Sequence, residues 1–318
     1  MSMLPKVLVL SKSDDPQLAM LRDLPHAITR NADAVADAGR GTEAILHWAG
    51  PKELLQAALC ACPGVRWVHS RWAGLDNLLF PELVESPVLL TNGSGVFSQS
   101  LGEFVLAAIL YFAKDFPRML RNQRAERWEP FDVDEIAGQT IGIVGYGDIG
   151  RAVARRAQAM GMHVLALKRH PPNALDALVG TFYRPEAMAE MLTRCDYVVV
   201  AAPLTPETRH MIGVAQFAAM QPGAVLINVG RGPVIDHAAM TQALREGRIR
   251  GAALDVFEQE PLPADDPLWQ MPNVLVSPHT ADHTRDWIDA AMRFFLRQYE
   301  HFRRGEPLEN VVNKRLGY

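Results

Sequence analysis

The sequence predicts an α/β protein of two domains, each a parallel sheet with helices on its faces. Three observations carry that expectation. The 318 residues match the length of two ordinary domains. Short apolar runs alternate with helical patterns over residues 7–91, and the alternation starts afresh at Thr140. At the head of the second run, near the middle of the chain, stands IGIVGYGDIGR, an apolar strand leading into a glycine-rich turn.

In the first half, strands are expected at Val7–Leu10, Ala44–Trp48, Val65–His69 and Val88–Thr91, with a helix at Lys52–Leu59. A long helical pattern follows from Ser98 to Arg124. Its first part is apolar nearly all round, so burial between domains or subunits is expected. Pro117 kinks it or ends its first segment. The basic end, RMLRNQRAERW, reads as a solvated helix face, and its Trp128 as either an interface or a core aromatic. In the second half, strands are expected at Ile141–Val144, Val164–Leu167, Tyr197–Ala201, Val225–Val229, Ala252–Asp255 and Val274–Ser277. A last helix, Trp287–His301, follows the sixth strand and is expected to cross back to the first domain. The domains are thus drawn as residues 1–97 with 287–318, and 98–286.

Composition narrows the function classes. Hydrophobic residues make up 48% and charged residues 21%, enough apolar side chains for two cores. A net charge of -4 gives no electrostatic reason to expect nucleic acid or an anionic membrane. Three cysteines, Cys60, Cys62 and Cys195, point to reduced thiols, and Cys60-x-Cys62 reads as buried apolar filler rather than a metal site. The start, MSMLPKVLVLSKSDDP, reads as a buried strand and not a signal peptide. A cytoplasmic protein is expected.

In Gly145-Tyr-Gly147-Asp-Ile-Gly150, each glycine has a task. Gly145 permits a tight turn, Gly147 lets the backbone approach a pyrophosphate, and Gly150 lets helix and strand pack closely. The helix that follows presents its N–H groups to anionic oxygens. The expected ligand is a dinucleotide. An acid about 20 residues on ordinarily bonds the ribose 2′-OH, but here Leu167 is followed by Lys168-Arg169-His170. Two cations attract a 2′-phosphate that a carboxylate would repel. NADP(H) is therefore expected over NAD(H), which stays possible; the alternative is that Lys168 and Arg169 are surface charges on a loop.

Three further segments put polar groups just past strand ends: Arg231 in INVGRGPVID, Asp255, Glu258 and Glu260 in ALDVFEQEPLP, and His279 in VLVSPHTADHT. Ligands of open α/β sheets bind at that edge. Together with GYGDIGRAVARRAQAMGM and AAPLTPETRHMIG, these segments resemble the D-isomer-specific 2-hydroxyacid dehydrogenases over most of the chain. The resemblance implies two Rossmann-like or flavodoxin-like, doubly wound domains with the active site in the cleft between them, and a homodimer.

It also implies roles. Arg231 would bind the substrate carboxylate, His279 would donate a proton to the carbonyl oxygen, and Glu260, directly before Pro261, would pair with His279 and hold it as the imidazolium. Asp255 would meet the nicotinamide carboxamide. Asp148 and Ile149 would offer backbone N–H groups to the pyrophosphate. Ser100, Pro203, Thr208, Val229 and Gly230 would line the cofactor. SRWAGLDNL matches the loop that holds the substrate carboxylate, which makes Trp72, Ala73 and Gly74 substrate-side candidates. Trp72 stands where the family more often has a small residue; it reshapes the pocket or is a core aromatic.

The sequence departs from the family pattern at Lys168 and in Thr280-Ala-Asp-His283 after the catalytic position. His279 and His283 have a metal-like spacing, but the glutamate of H-E-x-x-H is absent and Pro278 disfavours a helix, so no metal is expected. The expected activity is reduction of a small 2-ketoacid such as glyoxylate, hydroxypyruvate or a larger one to the D-2-hydroxyacid. Two other readings are oxidation of a formate-type anion, against which Glu260 argues because the formate enzymes carry Gln there, and a nucleotide-sensing protein like the C-terminal-binding corepressors.

Overall fold

The computed structural model describes residues 4–171 and 176–318. The strands, in chain order, are β1 Lys6–Ser11, β2 His26–Thr29, β3 Thr42–Ala49, β4 Trp67–Ser70, β5 Leu89–Thr91, β6 Thr140–Val144, β7 His163–Leu167, β8 Thr181–Tyr183, β9 Tyr197–Val200, β10 Val225–Asn228, β11 Gly251–Leu254 and β12 Val274–Val276. The α-helices are α1 Val35–Ala38, α2 Lys52–Ala61, α3 Pro81–Glu85, α4 Ser98–Ala113, α5 Phe116–Arg124, α6 Asp148–Ala159, α7 Met188–Leu192, α8 Val214–Ala219, α9 His237–Arg245 and α10 Trp287–Arg304. The chain divides into two compact units, Met1–Phe97 with Thr284–Tyr318, and Ser98–His283.

The first unit holds a five-stranded sheet in the order β2-β1-β3-β4-β5, parallel throughout. This is the flavodoxin-like order, with its switch point between β1 and β3. Leu8, Leu10, Ile45 and Val68 are fully buried on its strands, as both-faces-covered parallel sheets require. Helix α10 belongs to this unit: Phe295 stacks on Trp67 with centroids 5.4 Å apart, and the Tyr299 hydroxyl donates to the Pro5 carbonyl at 2.7 Å. Gly305, left-handed at φ 68°, ends the helix.

The second unit holds seven parallel strands in the order β12-β11-β10-β9-β6-β7-β8. Counted from β6 outward this is the Rossmann order, and the sheet reverses direction between β6 and β9.

The structure departs from the sequence-based expectations in some elements and refines them in others. Strands β2 and β8 are not among the expected elements; both are short edge strands with no alternating pattern. The long helix breaks at Asp115, left-handed at φ 49°, whose side chain accepts from the Arg118 N–H and starts α5 with Pro117 in its first turn. Part of the apolar surface of α4 packs inside the second unit: Gly102 lies against Ala152 of α6, and Phe112 against Gly251. Cys60 is exposed, so only Cys62 and Cys195 are apolar filler. Trp128 is 97% exposed, which removes a core role for it. Among the described residues no helix is long and apolar enough to cross a membrane.

Candidate active site

The carboxyl ends of β6, β7, β9, β10, β11 and β12 lie side by side in one sheet, and the loops that leave them carry most of the candidate residues. The turn after β6 is shaped by its glycines. Gly145 has φ 97°, and a Cβ there would stand 2.5 Å from the Ala202 nitrogen. A Cβ on Gly150 would stand 2.5 Å from the Gly145 oxygen, so α6 and β6 touch backbone to backbone. A Cβ on Gly147 would meet nothing within 4 Å. It would instead fill the space beside the first turn of α6, where Asp148 and Ile149 sit and Gly147 supplies no side-chain cap. A helix N-terminus reached through a glycine turn of this kind suits an anion such as a pyrophosphate.

Past β7, Lys168 and Arg169 are both half-buried. The Lys168 ammonium lies 5.9 Å from the Tyr146 ring centroid, and Arg169 Nη2 lies 3.6 Å from Glu207 Oε2. The Tyr146 hydroxyl and Arg151 Nη1 both donate to Asp176 Oδ2 at 3.0 Å. The Leu178 N–H, with Tyr146, Arg151 and Lys168 beyond it, holds the Asp176 carboxyl below its usual range. Burial, with the bond to Asp176, pushes the Tyr146 phenol up to about 12. These side chains gather cations, counter-ions and an aromatic ring past the ends of β6 and β7.

Past β9, Thr208 Oγ1 donates to the Pro203 carbonyl at 2.7 Å and accepts from the Thr205 N–H at 2.8 Å, closing the 203–208 turn. Past β10, Asn228 straps the next loop: its Nδ2 donates to the Arg231 carbonyl at 3.1 Å and its Oδ1 accepts from the Gly230 N–H at 3.1 Å. Val229 is buried, and a Cβ on Gly230 would lie 2.8 Å from the Ala202 oxygen, so the β9 and β10 loops lean on each other. Arg231 Nη1 donates to the Gly230 carbonyl at 2.8 Å. Asn228 was not anticipated; a polar residue in the last position of an apolar strand was its signal.

Past β11 and β12 the two glutamates part. Glu260 Oε2 lies 2.7 Å from His279 Nδ1, while its Oε1 accepts from the Phe257 N–H at 2.9 Å. Glu258 Oε1 instead lies 3.0 Å from His210 Nε2, a pair the sequence did not reveal. His279 has φ 53°, a left-handed conformation that costs a non-glycine residue roughly 1–2 kcal/mol. Three bonds hold it in place: Asp255 Oδ1 accepts from Ser277 Oγ at 2.5 Å, the Thr280 N–H at 2.9 Å and the Ala281 N–H at 3.1 Å. Burial pushes the Asp255 carboxyl up, against the pull of those donors. Asp255 thus staples the loop that presents His279, a task the sequence did not assign to it. Ser100 Oγ donates to the Ala281 carbonyl at 2.5 Å and clamps the same loop from α4. His283 Nε2 lies 3.7 Å from Asp282 Oδ1, and among the described residues no group of three or more His, Cys, Asp or Glu is placed to hold a metal.

In the first unit, the 72–74 loop is pinned by its carbonyls. Gly93 N–H donates to Trp72 O at 3.1 Å and Asn92 Nδ2 to Ala73 O at 2.6 Å. The Trp72 N–H donates to Ser70 Oγ at 3.3 Å. The Trp72 ring lies 5.6 Å from that of Trp287, and the Arg71 guanidinium lies 4.3 Å from its centroid. Trp72 is therefore packed as a unit aromatic as well as standing in the candidate loop.

Residues 106–281 match the family model described as D-isomer specific 2-hydroxyacid dehydrogenase, NAD binding domain. A glyoxylate reductase from Korarchaeum cryptofilum is 36% identical over 262 residues, 80% of this chain and 78% of the relative. A D-isomer specific 2-hydroxyacid dehydrogenase from Xanthobacter autotrophicus Py2, solved with NADPH and MES, is 34% identical with a TM-score of 0.85, covering 99% of this chain and all of that one (100%). An NADPH-dependent glyoxylate/hydroxypyruvate reductase from Sinorhizobium meliloti, solved with NADP and sulfate, is 28% identical with a TM-score of 0.85, covering 99% of this chain and 100% of that one.

Proposed function

The chain belongs to the D-isomer specific 2-hydroxyacid dehydrogenase family, and from that premise we propose that it reduces a small 2-ketoacid to the D-2-hydroxyacid with NAD(P)H. The observation that carries the proposal is the His279–Glu260 pair at 2.7 Å, on the same sheet edge as the glycine turn. When bound, the cofactor supplies the hydride.

The residues of this chain do the rest. Gly145, Gly147 and Gly150, with the Asp148 and Ile149 N–H groups, hold the pyrophosphate; Pro203, Thr208, Val229, Gly230 and Ser100 shape the remaining wall; Asp255 meets the carboxamide. Glu260 accepts from His279 Nδ1, which leaves Nε2 as the nitrogen that gives a proton to the substrate oxygen. A carboxylate beside the ring stabilises the imidazolium before the transfer. Arg231 grips the substrate carboxylate with a planar fork, and the Ala73 and Gly74 N–H groups complete its binding. Holding the carbonyl against donor and hydride source turns a bimolecular encounter into an oriented one.

Lys168 and Arg169 favour NADP(H) over NAD(H), because they offer cations where an acid would repel the 2′-phosphate. The first unit serves as the substrate-binding domain and the second as the dinucleotide-binding domain. The exposed apolar side chains Phe116, Met119 and Leu120 of α5, with Trp128, form the contact of a homodimer. Three free cysteines suit a reducing cytoplasm. Oxidation of formate would give His279 no proton to donate, and nucleotide sensing would give it no carbonyl to meet.

The test is steady-state consumption of NADPH and NADH over a panel from glyoxylate and hydroxypyruvate to branched 2-ketoacids. Turnover of at least one 2-ketoacid, faster with NADPH, is expected. No turnover of any member would overturn the proposal.

A further inference from the structure

We propose that Glu207 sets the cofactor preference of this site by competing with the adenosine 2′-phosphate for Arg169. The inference rests on the reading above, in which Lys168 and Arg169 meet that phosphate.

Glu207 arrives on a braced loop. Its Oε2 accepts from Thr205 Oγ1 at 2.8 Å, and the turn that carries both residues is closed by Thr208. From there Oε2 reaches to 3.6 Å from Arg169 Nη2. The Thr205 bond, with the Arg169 charge behind it, keeps the Glu207 carboxyl below its usual range, so it stays an anion. The cations near the end of β7 are therefore met by two different counter-ions. Arg151 has Asp176, whose side chain is 10% exposed and shared with Tyr146. Arg169 has Glu207, whose side chain is 66% exposed. The Asp176 carboxylate is set into the wall, whereas the Glu207 carboxylate is open to water and held weakly.

A 2′-phosphate brings up to two negative charges and three acceptor oxygens, and a guanidinium can take two of them at once. It therefore displaces one hydrated carboxylate. A cofactor without that phosphate leaves the pair closed, and Arg169 keeps its counter-ion. The exchange lowers the advantage of NADP(H) and spares NAD(H) an unpaired cation beside its ribose. The carboxylate that β7 lacks is thus supplied from the β9 loop, on a side chain that can be pushed away.

The experiment measures dissociation constants of NADP+ and NAD+ for the full chain at low ionic strength, by calorimetry without substrate. The readout is the ratio Kd(NAD+)/Kd(NADP+) in wild type, Arg169→Ala, Glu207→Gln and the double variant. Arg169→Ala is expected to lower the ratio by about tenfold, the worth of a charge-assisted contact. Glu207→Gln is expected to raise it by about two- to fivefold, the scale of an exposed ion pair. On the Arg169→Ala background Glu207→Gln should change nothing, because the competitor has lost what it competes for. If Arg169→Ala lowers the ratio and Glu207→Gln fails to raise it, Glu207 is no competitor and the inference falls while the cofactor reading stands. If Glu207→Gln raises the ratio equally with and without Arg169, it acts through a general field, and the inference falls as well. If Arg169→Ala leaves the ratio unchanged, the 2′-phosphate lies elsewhere and the reading beneath the inference fails.

Discussion

At the C-terminal edge of the seven-stranded sheet the charges stand half in water. His279 and Glu260 keep 43% and 36% of their side chains exposed, and Arg169 and Glu207 keep 35% and 66%. At the same edge of the five-stranded sheet a cation is walled in. Arg71 is 7% exposed, its guanidinium 4.6, 4.3 and 5.3 Å from the ring centroids of Trp48, Trp72 and Trp287, and Asp15 pairs with it at 3.0 Å while accepting from Trp48 Nε1 at 2.7 Å. A hydrated pair can open when a better partner arrives, because water has already taken most of its energy. A buried pair cannot, because whichever partner remained would be stranded without water. One edge is built for charges that change partners or protonation. The other is built to hold a shape, and the shape includes Trp72 at the head of the candidate substrate loop.

The sharpest way to break this comparison is at the proton donor. His279→Ala should lower kcat by about 10²–10⁴-fold with the melting temperature nearly unchanged, since the side chain is half-exposed and carries little packing. Near-normal turnover in steady-state kinetics would remove His279 from the reaction.

The mirror experiment is Arg71→Ala. It should cost about 1–3 kcal/mol of stability, because Asp15, 22% exposed, loses its ion partner and three tryptophans lose the guanidinium they pack on. Replacing both partners, Arg71→Met with Asp15→Asn, should restore much of that loss. Denaturant titrations decide: equal damage from the single and double changes would mean that packing, not the ion pair, is what Arg71 supplies.

Acid should find the five-stranded unit first. Burial holds His47 down to about 4 and His69 down to about 3, against an ordinary 6.5. His69 Nδ1 lies 2.8 Å from the Thr91 hydroxyl, which also accepts from Trp67 Nε1 at 2.8 Å and so turns its own hydrogen toward a neutral ring. The unfolded chain charges both histidines where the folded one does not. Their stabilisation is full above pH 6.5 and fades as the pH falls from there toward 4, by on the order of 3 kcal/mol for each residue. Thermal melts between pH 7.5 and 4.5 test this. His47→Asn and His69→Asn should flatten the slope, and an unaltered slope would assign the acid loss to other groups.

The smallest effect belongs to the displaceable charges. Lys168→Asp with Arg169→Ala should shift the NADPH/NADH ratio of kcat/KM toward NADH by about ten- to a hundredfold, through two lost cations and one gained acid. Preference unchanged by this double variant would place recognition of the 2′-phosphate away from the end of β7.

Much of this was legible from residue order. The turn after β6 announces itself because three glycines at fixed spacing follow an apolar strand, and each meets a backbone contact or an open space that a Cβ would spoil. Arg231 and His279 stood out as candidates because ligand sites of parallel sheets gather just past strand ends. The short strands β2 and β8 stayed hidden: an edge strand of three or four residues, covered on neither pattern, has too few side chains to show a period. The end of the first helical segment was legible from Pro117, but its detail, a left-handed Asp115 capping α5 with its own side chain, was not.

Local order alone determined the alternation of strands and helices, the phosphate turn and the identity of the polar groups past each strand, because periodicity and turn chemistry act over a few neighbours. The Glu260–His279 pair was already expected from the motif. Only the tertiary structure decided which other charges meet: nothing in the sequence told that Glu258 faces His210, that Asp255 binds the 277–281 loop, that Arg169 finds Glu207 or that Arg71 disappears among tryptophans. These pairings join residues far apart in the chain, and burial rather than residue type determines whether each is fixed or free to exchange.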